Sequence, residues 1–133
     1  QRNSWGDAFL MVQKEVAARL TGKVCTKEYG RITVMISAFM DIETCFNISP
    51  DVFVPKPKVH STIIRLIKKQ KPLIRDNQFI LLEKIVWAAF SQRRKMLRNT
   101  LKRFRFDQKV VEEINFERRP ETLTIQEFVK LLK

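Results

Sequence analysis

Glycine is scarce in this sequence: 133 residues hold only three, Gly6, Gly22 and Gly30, and no two lie close enough to build a Gly-x-Gly phosphate loop. Walker, paired-carboxylate and Ser/His/Asp arrangements are likewise missing. Cys25 and Cys45 form no Cys-x-x-Cys pair, and the one histidine, His60, completes no zinc site with them at usual spacings. Reduced, buried thiols and no metal are therefore expected. No apolar run approaches the roughly 18 residues of a membrane span, and the first residues lack the basic-then-apolar layout of a signal peptide. A cytoplasmic protein without membrane contact is expected. Hydrophobic residues at 44% and charged residues at 30% exclude disorder and a disulfide scaffold, and the length suffices for one core. The chain opens on Gln1 rather than methionine, which reads as part of a longer chain.

What is present is a lopsided charge. The net charge is +12, from 26 basic and 14 acidic residues. Between Lys56 and Arg105 lie 15 basic and 2 acidic residues, or +13; the remainder carries 11 and 12, or −1. From Gln92 to Arg105 come seven cations (Arg93, Arg94, Lys95, Arg98, Lys102, Arg103 and Arg105) and no anion. Such a block suits a polyanion, because each phosphate it neutralises releases counterions. A merely solvated face is the plainer reading. Helical periodicity favours the former: Leu97, Leu101 and Phe104 share one stripe, and Arg94, Arg98, Lys102 and Arg105 a neighbouring one.

Hydrophobic periodicity places a strand at Phe9-Leu10-Met11-Val12, a helix from Gln13 to Leu20 stopped at Gly22, and a second helix carrying Ile32, Met35, Ile36, Phe39 and Met40. Ile42–Ile48 and Ser61–Ile67 read as strands, the latter so continuously apolar that burial on both faces is expected. After Pro72 only helix signals remain. Asp76 caps a helix bearing Phe79, Leu82, Val86 and Phe90, and Ser91 caps a continuous basic helix. Asp107 opens a short helix ending near Ile114. Pro120 marks a turn, and Thr124-Ile125-Gln126-Glu127 is a capping box for a last helix with Phe128, Val129, Leu131 and Leu132.

The loop Val52-Phe53-Val54-Pro55-Lys56-Pro57-Lys58-Val59-His60-Ser61 combines an aromatic, two cations and two alternate prolines that stiffen the backbone. Phe53 is either a stacking surface for an unstacked base or a core residue at a strand end. His60 has no partner that would make it an acid or base. Trp5 and Trp87 read as core or interface aromatics. Asn47-Ile48-Ser49-Pro50 resembles an amino-methyltransferase signature, but its proline is one place late and Asp51 follows where an aromatic is required.

Four segments in order resemble the ribosomal RNA small-subunit adenine dimethyltransferase (KsgA) family: Met11–Leu20, Tyr29–Met35, Val52–Ser61 with its following strand, and Ala89–Leu101. Erm-type enzymes share the catalytic fold, but Phe90-Ser91-Gln92-Arg93-Arg94-Lys95 and the closing helices point to the ribosome-biogenesis branch. The resemblance implies an α/β fold: the C-terminal part of a Rossmann-like methyltransferase sheet at 1–71, then a small all-helical, rRNA-contacting domain at 72–133. It implies S-adenosylmethionine-dependent dimethylation of two adjacent adenines, with small-subunit rRNA and the pre-small ribosomal subunit as partners. The family's donor loop and its Asn-Leu-Pro-Tyr type motif have no counterpart here, so no catalytic or cofactor residue is assigned and the chain is expected to be inactive alone. Phe53 matches the loop aromatic lining the target-base pocket. Lys56, Lys58, Arg93, Arg94, Lys95, Arg98, Lys102, Arg103 and Arg105 match surface that meets rRNA.

Two alternatives remain at this stage. The chain is a non-enzymatic RNA-binding or ribosome-assembly module, or it is a structural fragment whose open sheet edge pairs with another copy.

Overall fold

A computed structural model describes residues 7–52, 54–55 and 58–132. The first strand and helix adjoin directly, β1 at Asp7–Gln13 and α1 at Lys14–Leu20. Helix α2 covers Arg31–Ser37, shorter than its apolar period because Phe39 leads into β2 at Met40–Ile48. β3 follows at Ser61–Lys68. These make a three-stranded sheet in the order β1-β3-β2 with β3 antiparallel to both neighbours. The pairing β2–β3 shifts register between Thr44 and Phe46.

The expectation that β3 is buried on both faces needs correction. Only Thr62 and Ile64 are fully buried, and the remaining positions are partly exposed. A centre strand flanked on both sides receives its hydrogen bonds, but its second face is covered only where another layer lies against it. At Arg65 that face instead carries charge: the guanidinium bridges Asp7 of β1 and Glu43 of β2, the latter at 3.0 Å. β1 leaves Phe9, Leu10 and Met11 exposed.

From residue 69 on, the described residues form helices and turns only. A 3-10 turn at Asp76–Gln78 precedes α3 at Phe79–Phe90, so Asp76 opens that turn and does not cap α3 itself. Short helices α4 at Leu97–Thr100, α5 at Gln108–Glu113 and α6 at Ile125–Lys130 complete the chain. The capping box is formed: Glu127 N–H donates to Thr124 Oγ1 at 3.1 Å, and Thr124 N–H donates to Glu127 Oε1 at 2.9 Å.

The main core lies among helices, not on the sheet. Tyr29, Val34 and Ala38 join Leu82, Ile85, Val86 and Ala89 of α3, then Leu97, Leu101, Val110, Ile114, Leu123, Phe128 and Leu131. One cluster thus draws residues from both sides of the sequence division at 71/72. Tyr29 anchors the crossing, its buried hydroxyl donating to the Leu123 carbonyl at 2.6 Å. Burial pushes that phenol well above its ordinary range, and the nearby Glu127 carboxylate adds to the shift. Gly22 is required by a close approach: a Cβ there would lie 2.8 Å from the Glu28 carbonyl carbon. Both cysteines are free and exposed, contrary to the expected buried thiols.

Candidate nucleic-acid interface

The basic segment is not one helix. α3 stops at Phe90, where Ser91 Oγ donates to the Ala88 carbonyl at 2.6 Å, so Ser91 closes α3 rather than opening a basic helix. Turns follow, then the single turn of α4, then a further turn closed by Phe104 N–H to the Leu101 carbonyl at 3.0 Å. The reason is tertiary. Leu97 N–H donates to the Arg118 carbonyl at 2.9 Å and Arg98 N–H to the Phe116 carbonyl at 2.8 Å, replacing the bonds a helix would direct four residues back. Cations spaced three and four apart also repel along a helix.

Burial nevertheless follows the stripes. Leu97 and Leu101 are buried and Phe104 packs partly against the core, while Arg94, Lys95, Arg98, Lys102, Arg103 and Arg105 are exposed. Arg98 has Glu117 at 3.8 Å, both largely solvated, a pairing too exposed to hold the cation back. Arg103 lies over the Phe104 ring, 5.1 Å from its centroid.

Arg93 behaves differently from its neighbours. Its guanidinium donates to the carbonyls of Tyr29 at 2.7 Å, Lys27 at 3.0 Å and Thr26 at 3.3 Å, and it stands over Phe90. It ties the 26–29 loop to the end of α3.

The support beneath this surface runs back to the last helix. Arg118 donates from both terminal nitrogens to Glu127, from Nε to Thr122 Oγ1 at 3.2 Å, and from Nη2 to the Thr122 carbonyl. These bonds hold the Glu127 carboxyl below the usual carboxylate range, with the Thr124 N–H helping, and raise Arg118. The pair fixes the strand of backbone whose carbonyls hold α4.

Phe53 and Lys56, both expected to meet RNA, lie outside the described residues. Lys58 is exposed, as are Val59 and His60, whose carbonyl accepts from Lys14 N–H at 3.0 Å. Asn47 uses its side-chain oxygen to accept from the Thr62 hydroxyl at 2.7 Å. Among the described residues, no group of three His, Cys, Asp or Glu side chains could hold a metal, and no helix is long and apolar enough to cross a membrane.

Sequence reasoning did not single out Arg31 and Trp87 as a pair. Arg31 Cζ sits 4.6 Å from the Trp87 ring centroid, 56 positions away in sequence. Phase was the available signal, since Trp87 falls between Val86 and Ala88 off the buried stripe of α3.

The whole chain, residues 1–133, matches the family described as Ribosomal RNA adenine dimethylase. It is 42% identical over 126 residues to the ribosomal RNA small subunit methyltransferase A of Nitrosospira multiformis, covering 94% of this chain and 49% of that protein. The protein of the same name from Chlamydia trachomatis is 37% identical over 132 residues, with 96% and 48% covered. The chain thus spans about half the length of the curated relatives it matches. Among solved structures, a dimethyladenosine transferase from Plasmodium falciparum superposes with a TM-score of 0.83 at 25% identity, covering 98% of this chain and 57% of that one. The 23S rRNA methyltransferase ErmE shares the fold at a TM-score of 0.66 and 24% identity, over 96% and 53%.

Proposed function

The chain belongs to the ribosomal RNA adenine dimethylase family, and from that premise we propose that it serves S-adenosylmethionine-dependent dimethylation of two adjacent adenines in small-subunit rRNA. In this reading it is the part of such an enzyme that holds RNA, acting on the pre-small ribosomal subunit in the cytoplasm. Residues 1–71 contribute the last strands of the catalytic sheet, and 72–133 the RNA-contacting helices, joined by the shared core around Tyr29.

The observation that carries the reading is the cationic segment from Arg94 to Arg105, displayed outward by buried Leu97 and Leu101 with no acid within it. Phosphates neutralised there would bind with a steep dependence on salt. Lys58 is a further exposed cation, five positions after Phe53 in sequence, and in this reading the Phe53 ring stacks on an extruded adenine.

The described residues do not fit the methyl donor. Of the two glycines among them, Gly22 packs on the backbone of Glu28 and Tyr29, and the nearest group facing Gly30 is the Arg93 side chain. Gly22 leaves no cradle and no Gly-x-Gly loop accompanies Gly30, so in this reading the donor is held outside the described residues and no step is routed through it. The donor, where bound, supplies the electrophilic methyl group. This chain's residues bind, extrude and orient the RNA.

Binding of the chain to the hairpin at the 3′ end of small-subunit rRNA, across a salt series, tests this. Tight binding with a log–log slope of about −0.9 per contacted phosphate is expected. Salt-insensitive binding would sink the RNA-holding role, and methyl transfer by this chain alone would sink the placement of the donor site. A purely non-enzymatic RNA-binding module is the second reading, favoured by the exposed cations of the Arg94–Arg105 segment, which need no donor to bind RNA.

A further inference from the structure

Trp87 is held at the surface of a helix whose neighbouring residues are buried. Val86, Ala88, Ala89 and Phe90 all lie inside, yet the indole is 48% exposed. An exposed ring of that size leaves apolar area in water that a bound ligand could cover. Arg31 Cζ lies over it, 4.6 Å from its centroid, while Nη2 donates to the Trp87 carbonyl at 3.1 Å, so the hydrogen bond helps to hold the guanidinium over the ring. Arg31 Nε is buried and has no acceptor.

Beside this pair runs a groove of about 360 Å³. Arg31 and Trp87 form one wall, and Asn99, Thr100, Lys102 and Arg103 the other, with no acid in its lining. A second groove of about 390 Å³ shares Arg31 and Trp87 and is lined by Arg19, Lys27 and Arg93 together with the acidic Glu28. A flat indole–guanidinium stack, flanking cations and a neutral amide with a hydroxyl match the needs of one unpaired nucleotide. The stack takes the base, Lys102 and Arg103 take phosphate, and Asn99 and Thr100 can hydrogen-bond a base edge.

We infer that the Trp87–Arg31 groove is a subsite for a single unpaired nucleotide of the bound RNA, adjoining the cationic turn through Lys102 and Arg103 and adding a stacking surface to it. This rests on the RNA-holding role proposed above and adds single-strand selectivity to it. A duplex reaches the cations but cannot stack on Trp87, because its bases already stack on one another.

The test uses the full chain with Trp5→Phe, which leaves Trp87 as the one tryptophan of the two in the sequence. Its fluorescence is followed against a short single-stranded RNA, a duplex RNA of equal length and a polyglutamate peptide. Quenching by the single strand alone is expected. Trp87→Ala should weaken single-strand binding on the order of ten-fold with an unchanged salt slope, Trp87→Phe should restore part of it, and duplex affinity should not move. Equal quenching by duplex, quenching by the peptide, or a Trp87→Ala protein with full single-strand affinity would overturn the subsite while leaving RNA binding intact. Failure of both RNAs to bind would overturn the subsite and the RNA-holding role together.

Discussion

Arg118 and Leu97 are joined through the backbone: the Arg118 carbonyl accepts the Leu97 N–H at 2.9 Å while the Arg118 side chain forks onto Glu127. The residue that pairs with Glu127 of the last helix's capping box thus also holds the backbone at the start of α4.

Glu127→Gln should break the forked pair and weaken the capping box, with a stability loss of about 2 kcal/mol. Because the native carboxyl is held low, its contribution is complete above the unfolded-state value near 4.3 and disappears as pH falls through the folded value. Denaturant unfolding at several pH values checks both. The variant should show a smaller stability loss on acidification than the parent, and an identical acid profile would refute the assignment.

Tyr29→Phe removes the phenol from the buried Leu123 carbonyl and should cost about 1–3 kcal/mol. The parent has a signature at high pH. Below about pH 10 the phenol is protonated in both states, and above it the unfolded chain ionises first, so stability falls as pH rises. Tyr29 is the one tyrosine in the sequence, so tyrosinate absorbance reads it alone. Ionisation should coincide with unfolding, and a free titration near pH 10 in folded protein would contradict the burial.

Arg93→Ala and Arg94→Ala should separate structure from binding. The first deletes three bonds to the carbonyls of the 26–29 loop and should lower Tm by several degrees. The second should leave Tm unchanged and flatten the RNA salt slope by about one. Thermal melts beside binding at graded salt distinguish them, and equal Tm losses would end the division.

Gly22→Ala drives a Cβ into the backbone of Glu28 and Tyr29, where contacts of 2.8 and 2.9 Å cannot be relieved by a side-chain turn. A loss of about 1–3 kcal/mol is expected. Gly30→Ala meets only the Arg93 guanidinium, at 3.9 Å, and should cost less than 1 kcal/mol. Paired denaturation curves test the contrast.

Local signals carried the elements well where the chain makes its own bonds. Alternation and period placed three strands and most helices, and Thr124 with Glu127 announced their capping box three residues apart, because both partners are local. The charge imbalance and the two stripes were also legible, since the burial of Leu97 and Leu101 against exposed Arg94 and Arg98 needs only helical spacing. What the sequence determined alone is therefore composition, period and the ordered segments that mark the family. Tertiary structure decided the rest. The basic helix broke because carbonyls of Phe116 and Arg118 claimed its N–H groups, β3 kept a half-open face because no other described layer covers it fully, Arg93 turned inward to a loop distant in sequence, and Arg31 met Trp87. Each is a contact between residues far apart in the chain, and no local propensity encodes which distant partner will satisfy a backbone group or cover a ring.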